Sequence, residues 1–180
     1  MRHMRRWFAT LIGAVTVVAL GLSPAVPVAS AVDAPIGNLG DTLRVEYQGI
    51  VADVIVRDVL PTDTPPGYAP TGSPRWRNEG GPWRADVTVH AITVPNPHAM
   101  AVVFGFDGVT PFADAYEPKR TDAPDALDTA LLNVPTGATA NGAVYWQVYR
   151  AGVTNVILLD PHTGVHLAQW NVFPPGTPLP

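Results

Sequence analysis

The chain has 180 residues, with 15 acidic against 11 basic side chains and no cysteine. The missing thiols exclude disulfides, thiolate metal sites, a cysteine nucleophile and a lipidated cysteine anchor. The acidic balance repels phosphate backbones and anionic lipid, so neither nucleic acid nor a membrane surface is an expected partner.

The N-terminus reads as a secretory signal. Arg2, Arg5 and Arg6 form a basic head, an apolar run extends from Trp7 to Leu22, and Ala29-Ser30-Ala31 follows Pro24 and Pro27. The apolar run is short for a span of roughly 20 residues, and the small residues behind it suit a signal peptidase, which predicts cleavage after Ala31. Arg5-Arg6-Trp7-Phe8 also looks like part of a twin-arginine signal, so both export routes fit the segment. Cleavage would remove three of the basic residues and no acid, making the exported chain more negative and leaving no membrane-inserted segment. About 150 residues then remain, enough for one domain burying roughly 68–70% of its unfolded surface without disulfides. The expected organisation is a signal peptide over 1–31, one domain over 32–173, and a loose proline-rich tail over 174–180.

Leu43, Val45 and Tyr47 alternate with Thr42, Arg44 and Glu46, which predicts a first strand closed by Gln48-Gly49. From Ile50 to Val59 a second strand puts Ile50, Ala52, Val54 and Val56 on one face and Asp53 and Arg57 on the other, as in a sheet covered on one side. Leu60 to Pro82 carries six prolines and reads as a long loop, because proline lacks the ladder donor. The loop segment and its edge hold Tyr68, Arg75, Trp76, Arg77 and Trp83. These form either an aromatic and arginine interaction surface or tryptophans folded back onto a core edge.

Arg84 to Val94 alternates again, with Ala85, Val87, Val89 and Ala91 inward, and Pro95-Asn96-Pro97 ends it. Met100, Val102, Phe104 and Phe106 read as the inward face of the next strand, stopped at a turn on Asp107-Gly108. Between Val109 and Leu132 two readings stand: a short helix entered through Asp122-Ala123-Pro124, or an extended crossover. Gly142 to Tyr149 alternates Val144, Trp146 and Val148 against Tyr145 and Gln147, and reads as a central strand. Val153 to Leu159 and Val165 to Phe173 form a final hairpin around Asp160-Pro161-His162-Thr163-Gly164, whose glycine suits a positive φ. Strands joined by short turns argue for an all-β antiparallel sandwich of about seven to nine strands with at most one short helix.

Catalytic chemistry finds little to use. Behind the predicted cleavage site Ser73 is the single serine, set before a proline, and Lys119 is the single lysine of the chain, set beside Arg120. Neither has the context of a nucleophile elbow or a Schiff base. His162 and His166 have helical i, i+4 spacing, but Pro161 and Gly164 prevent a helix there, and His90 and His98 stand elsewhere. Asp122, Asp125 and Asp128 lack the alternation and central glycine of a calcium loop. No catalytic, metal or cofactor residue is therefore expected.

The opening Ile36-Gly37-Asn38-Leu39-Gly40-Asp41-Thr42-Leu43, the Trp83 to Val94 strand, Val134-Pro135-x-Gly137 leading to Gly142-x-Val144-x-Trp146-x-Val148, and a final strand ending at Trp170 follow in order. This order resembles the small secreted immunogenic antigens of mycobacteria, a family with an immunoglobulin-like β-sandwich. Here Trp146 stands where that family has Phe, the proline-rich loop is longer, and a tail follows Trp170. The resemblance implies secretion, the immunoglobulin-like sandwich and no catalytic residue. The expected role is a monomeric or weakly associating interaction module or antigen, engaging a protein or a host or envelope component. The alternative is an envelope hydrolase using carboxylates or histidines, which a cleft lined by converging acids would favour.

Overall fold

The computed structural model describes residues 34–62, 81–121 and 123–173. The signal segment, Tyr68, Arg75, Trp76, Arg77, Asp122 and the tail lie outside the described residues. Nine strands form two sheets: β1 (Ile36–Asn38), β2 (Thr42–Tyr47), β3 (Ile50–Pro61), β4 (Pro82–Thr93), β5 (Gly105–Val109), β6 (Ala115–Tyr116), β7 (Thr139–Gln147), β8 (Asn155–Leu159) and β9 (His166–Asn171). One sheet has the order β1-β9-β8-β5-β6 and the other β2-β3-β4-β7. The all-β sandwich follows, with one departure from a purely antiparallel arrangement, since β1 runs parallel to β9.

The four-stranded sheet grows from local rules. Gln48 and Gly49 both take positive φ, +48° and +79°, between the paired Tyr47 and Ile50. Two central residues at positive φ make the two-residue turn whose twist matches a hairpin, and it sets the register of β2 on β3. With that register Ala52, Val54 and Val56 of β3 lie beside Val89 and Val87 of β4, all buried. Near its end β3 bulges between Arg57 and Leu60, where Asp58 has φ +51°, returning Val59 to the core and leaving Leu60 exposed.

The core holds two fully buried tryptophans, one from each sheet. Trp146 on β7 donates its indole N–H to the Phe106 carbonyl on β5 at 2.9 Å, and Trp170 on β9 donates to the Asp41 carbonyl beside β2 at 3.0 Å. Each bond crosses from one sheet to the other. At the opposite end Tyr47 donates its hydroxyl to Asp160, at the end of β8, at 2.9 Å. The Asp160 carboxylate also accepts from the His162 N–H and the Thr163 hydroxyl, and it is held below the usual carboxylate range by the His162 N–H above all, against the opposing effect of burial. Gly164 closes this hairpin at φ +71° with its N–H on the Asp160 carbonyl.

Four expectations change. Ala99–Val103 is a helix, α1, rather than strand, with Met100 and Val103 buried and Val102 exposed, the i, i+3 pattern of a helix lying on the core. Asp107-Gly108 sits inside β5 and makes no turn; a Cβ at Gly108 would come 3.0 Å from Val153 Cγ2 and 3.1 Å from Trp146 Cδ2, so glycine there makes room for packing. The 109–132 crossover contains a second helix, α2 (Leu127–Ala130), continued by a 3-10 turn at Leu131–Asn133, so the described residues hold two short α-helices instead of at most one. Lastly, β7 is the edge strand of its sheet and β3 and β4 are the central ones.

That edge is covered. Ala143 donates its N–H to the Asp125 carbonyl at 2.6 Å and Lys119 donates to the Tyr145 carbonyl at 2.8 Å, so the crossover occupies hydrogen bonds that an edge strand leaves open. Gly142 permits this approach, because a Cβ there would fall 2.7 Å from Leu127 Cα. In consequence Ala143 and Tyr145, on the face opposite Trp146, are buried as well.

Candidate functional site

The ends of β3, β5, β7 and β9 and the starts of β4 and β8 meet at one end of the sandwich. The register fixes this: Pro61 lies opposite Trp83, Pro82 opposite Gln147, and Val109, Asn155 and Asn171 form one row. Thr62 donates its N–H to the Pro82 carbonyl at 2.8 Å and Val148 to the Gly81 carbonyl at 3.0 Å. The proline-rich segment 63–80 therefore leaves from and returns to this end.

Trp83 is the one sequence-predicted surface residue that the structure describes. It has the inward phase of Ala85 and Val87 and stands directly across from Trp146, so it caps the end of the core half-buried. Gly152 lies under its ring, where a Cβ would meet the Trp83 Cη2 at 3.0 Å. Another side of the same residue borders an open cleft of about 500 Å³ shared with Leu39, Val59, Leu60, Pro61, Val172 and Phe173. Arg57 and Asp58 stand at the same cleft.

At the same end, on the β5–β6 side, are two aromatic side chains that the sequence reading did not single out as a surface. Thr110 is buried and its hydroxyl accepts the N–H groups of Phe112 and Asp114 at 3.2 and 3.1 Å, folding a tight turn after β5 that leaves Phe112 78% exposed. Tyr149, 63% exposed, meets Tyr116 edge to face with ring centroids 5.3 Å apart. Tyr116 in turn donates to the Ala151 carbonyl at 3.1 Å and accepts from the Arg150 N–H at 3.3 Å, and Arg150 pairs with Asp114 at 3.3 Å. The 149–152 loop is thus tied to the β6 side by hydrogen bonds through Tyr116 and an ion pair. Phe112 and Tyr149 are 37 residues apart in the sequence, and only the pairing of β5 with β6 and β8 brings their loops to one end.

The groups whose ionisation the fold perturbs lie elsewhere. Arg44 holds Asp53 in a two-pronged ion pair across β2 and β3, at 2.9 and 3.0 Å, lowering the Asp53 carboxyl. Arg84 contacts Asp86 and lies 3.4 Å from Asp125, which accepts the Tyr145 hydroxyl at 2.8 Å. Burial, then this hydrogen bond, push Tyr145 up to about 12. Asp107, on the outward face of β5, is pushed up to about 6 by burial first and then by Glu117, with His166 opposing. None of Asp107, Glu117 and His166 lines the Trp83 cleft or a second one bordered by Phe104, Phe106 and Leu131.

His90 bonds the Thr139 hydroxyl at 3.1 Å on the outer sheet face, and His98 contacts the Leu132 carbonyl. His162 is in the β8–β9 turn, 3.6 Å from Asp160, and His166 opens β9. Among the described residues no three histidines or acids converge as a metal site, and no helix is long and apolar enough to cross a membrane. What this arrangement offers chemically is aromatic and aliphatic contact area on hydrogen-bonded loops.

No family model matches the chain, and no curated protein matches it. Among solved structures it is similar to the 1.5 Å crystal structure of MPT63, a secreted protein from Mycobacterium tuberculosis, with a TM-score of 0.62 and 21% sequence identity. The likeness covers 77% of this chain and 97% of that one. At such identity it establishes the common fold, a two-sheet β-sandwich spanning nearly the whole of the other protein.

Proposed function

We propose that this protein is exported and acts outside the cell as a non-enzymatic binding module, engaging a protein or envelope component through the loop-bearing end of its sandwich. The observation that carries the reading is the convergence at that end of exposed Phe112 and Tyr149 with the Trp83 cleft, where segment 63–80 begins and ends. Aromatic side chains supply large contact area at little conformational cost, and loops on a rigid scaffold are where binding concentrates. Tyr68, Arg75, Trp76 and Arg77, on the segment rooted there, extend the same surface in this proposal. Export is supported by the order of basic head, apolar run and Ala29-Ser30-Ala31, and by a fold shared with a protein described as secreted. The hydrolase reading is disfavoured because the perturbed carboxyl Asp107 and His166 are not among the residues lining the two clefts described.

The test has two arms. Culture supernatant should contain a protein beginning at Val32, and a product retaining Met1 solely in the membrane fraction would refute export. In a pull-down from envelope and host extracts, Phe112→Ala with Tyr149→Ala should lower capture of any specific partner at least about tenfold, as loss of two aromatic anchors does, while leaving the urea midpoint unchanged. Undiminished capture by this double variant would move the interface off the loop end.

A further inference from the structure

A second cleft, of about 260 Å³, opens on the other flank of the molecule, where the β5 and β7 edges part and the crossover closes the gap. Its floor includes Phe104, Phe106 and Leu131, all buried. Its rim holds Lys119 and Arg120, both exposed. The backbone bond from Lys119 to the Tyr145 carbonyl, 2.8 Å, ties the segment that carries both cations to the edge of β7. Among the described residues the carboxylate in the lining is Asp128, and its Oδ1 accepts the Thr129 N–H at 2.7 Å and lies 3.4 Å from the Thr129 hydroxyl. Two adjacent cations, including the single lysine of a chain with 15 acidic residues, therefore stand over an apolar floor, with Asp128 also in the described lining.

We propose that this cleft binds a small single-chain amphiphile with an anionic head, the chain on the phenylalanine floor and the head between Lys119 and Arg120. The chemistry follows from the two halves of the site. An apolar floor rewards removal of methylene groups from water, and two adjacent cations at its rim favour a carboxylate or phosphate over a neutral head. Size limits the occupant: ligand pockets of drug-sized molecules run about 300–1,000 Å³, and this one is smaller, so a medium-length chain fits and a long acyl chain does not. The site is separate from the loop end, and its fate does not bear on the partner-binding reading.

The experiment is calorimetric titration of the purified protein with octanoate, octyl phosphate and octanol. At least one of the anions should bind saturably and at least about tenfold more tightly than the alcohol, which corresponds to about 1.4 kcal/mol. Which of the two anions binds better identifies the head. Lys119→Glu with Arg120→Glu should cut anion affinity at least about tenfold without affecting octanol, as should raising ionic strength to about 1 M, where the screening length falls to about 3 Å. Ala101→Leu, which intrudes on the cleft, should abolish binding of all three, with the urea midpoint confirming that the variant is folded. The charge-reversal variant keeps the proposal testable if Ala101→Leu is not. Absence of saturable binding by either anion, or anion binding that survives both charge reversal and high salt, overturns the assignment.

Discussion

Replacing Asp107 by Asn should stabilise the protein at neutral and alkaline pH and leave it unchanged in acid. Asp107 stands on β5 opposite Ile157 of β8, and the pairing of Gly108 with Tyr116 brings Glu117 alongside. Burial is the main reason its carboxyl titrates near 6 instead of 3.8, Glu117 adds to the shift, and His166 works against it. In the unfolded chain the group loses its proton near 3.8, so between these values the folded state holds a proton that the unfolded state has released. Stability therefore falls as pH rises through this window, and above about pH 6 the fold carries the full cost of a half-buried carboxylate. A displacement of about two units amounts to roughly 3 kcal/mol at 1.36 kcal/mol per unit, and the part of Asp107 that stays in contact with water reduces this to about 1–1.5 kcal/mol. Asn keeps the shape and removes the charge. Urea unfolding at about pH 8 should place the variant about 1 kcal/mol above the parent, a rise of about 2–4 °C in Tm for a domain of this size, with no gain at about pH 4. An equal difference at both pH values, or a carboxyl resonance titrating below about 4.5, would show that Asp107 is hydrated and the reasoning wrong.

Trp146→Ala should cost about 3–5 kcal/mol, because it empties a fully buried site and leaves the Phe106 carbonyl without its indole donor; Gln147→Ala on the opposite face should cost about 0.5 kcal/mol or less, and equal urea midpoints for the two would show the β7 phase to be wrong. Tyr47→Phe should cost about 0.5–1.5 kcal/mol by deleting the bond to Asp160 that joins the two sheets. Because the folded Asp160 carboxyl is depressed, that contribution is present above about pH 3.8 and fades as pH falls through the lower folded value, so the parent-to-variant difference should shrink in acid, and a constant difference would mean that Asp160 does not act as the acceptor.

Two-residue periodicity made β2, β3 and β4 legible, down to which residues face inward, since each alternates cleanly and is bounded by turn chemistry. The same periodicity misled at residues 100–106. Met100, Phe104 and Phe106 satisfy a strand's even spacing, and the deciding fact is that Val103, not Val102, is buried. A five-residue helix is too short for its own period to outvote that of the strand that follows. Alternation also reveals faces but not neighbours, so it could not place β7 at an edge. The burial of Ala143 and Tyr145 depends on a crossover whose approach was written only in the smallness of Gly142. Asp107-Gly108 has the composition of a turn, yet its glycine answers to the Trp146 ring across the core.

Of the surface the sequence suggested around the proline-rich segment, the structure describes Trp83 alone, a half-buried cap at the loop-bearing end. Phe112 and Tyr149 reach the same end through topology, which a linear reading does not contain. The structure also supplies what composition left open, namely how a domain without disulfides keeps a loop-bearing end in shape. The two fully buried tryptophans lie beneath that end, Trp146 directly across from Trp83 and Trp170 in the row with Val156, and each donates to a carbonyl of the other sheet. Aromatic side chains presented on such a platform lose little further freedom when a partner docks, and that is the main cost a binding loop must otherwise bear. On the proposed reading the exposed pair would supply contact area and the buried pair rigidity, so substitutions at Phe112 and Tyr149 should act mainly on binding, whereas those at Trp146 and Trp170 should act on stability first.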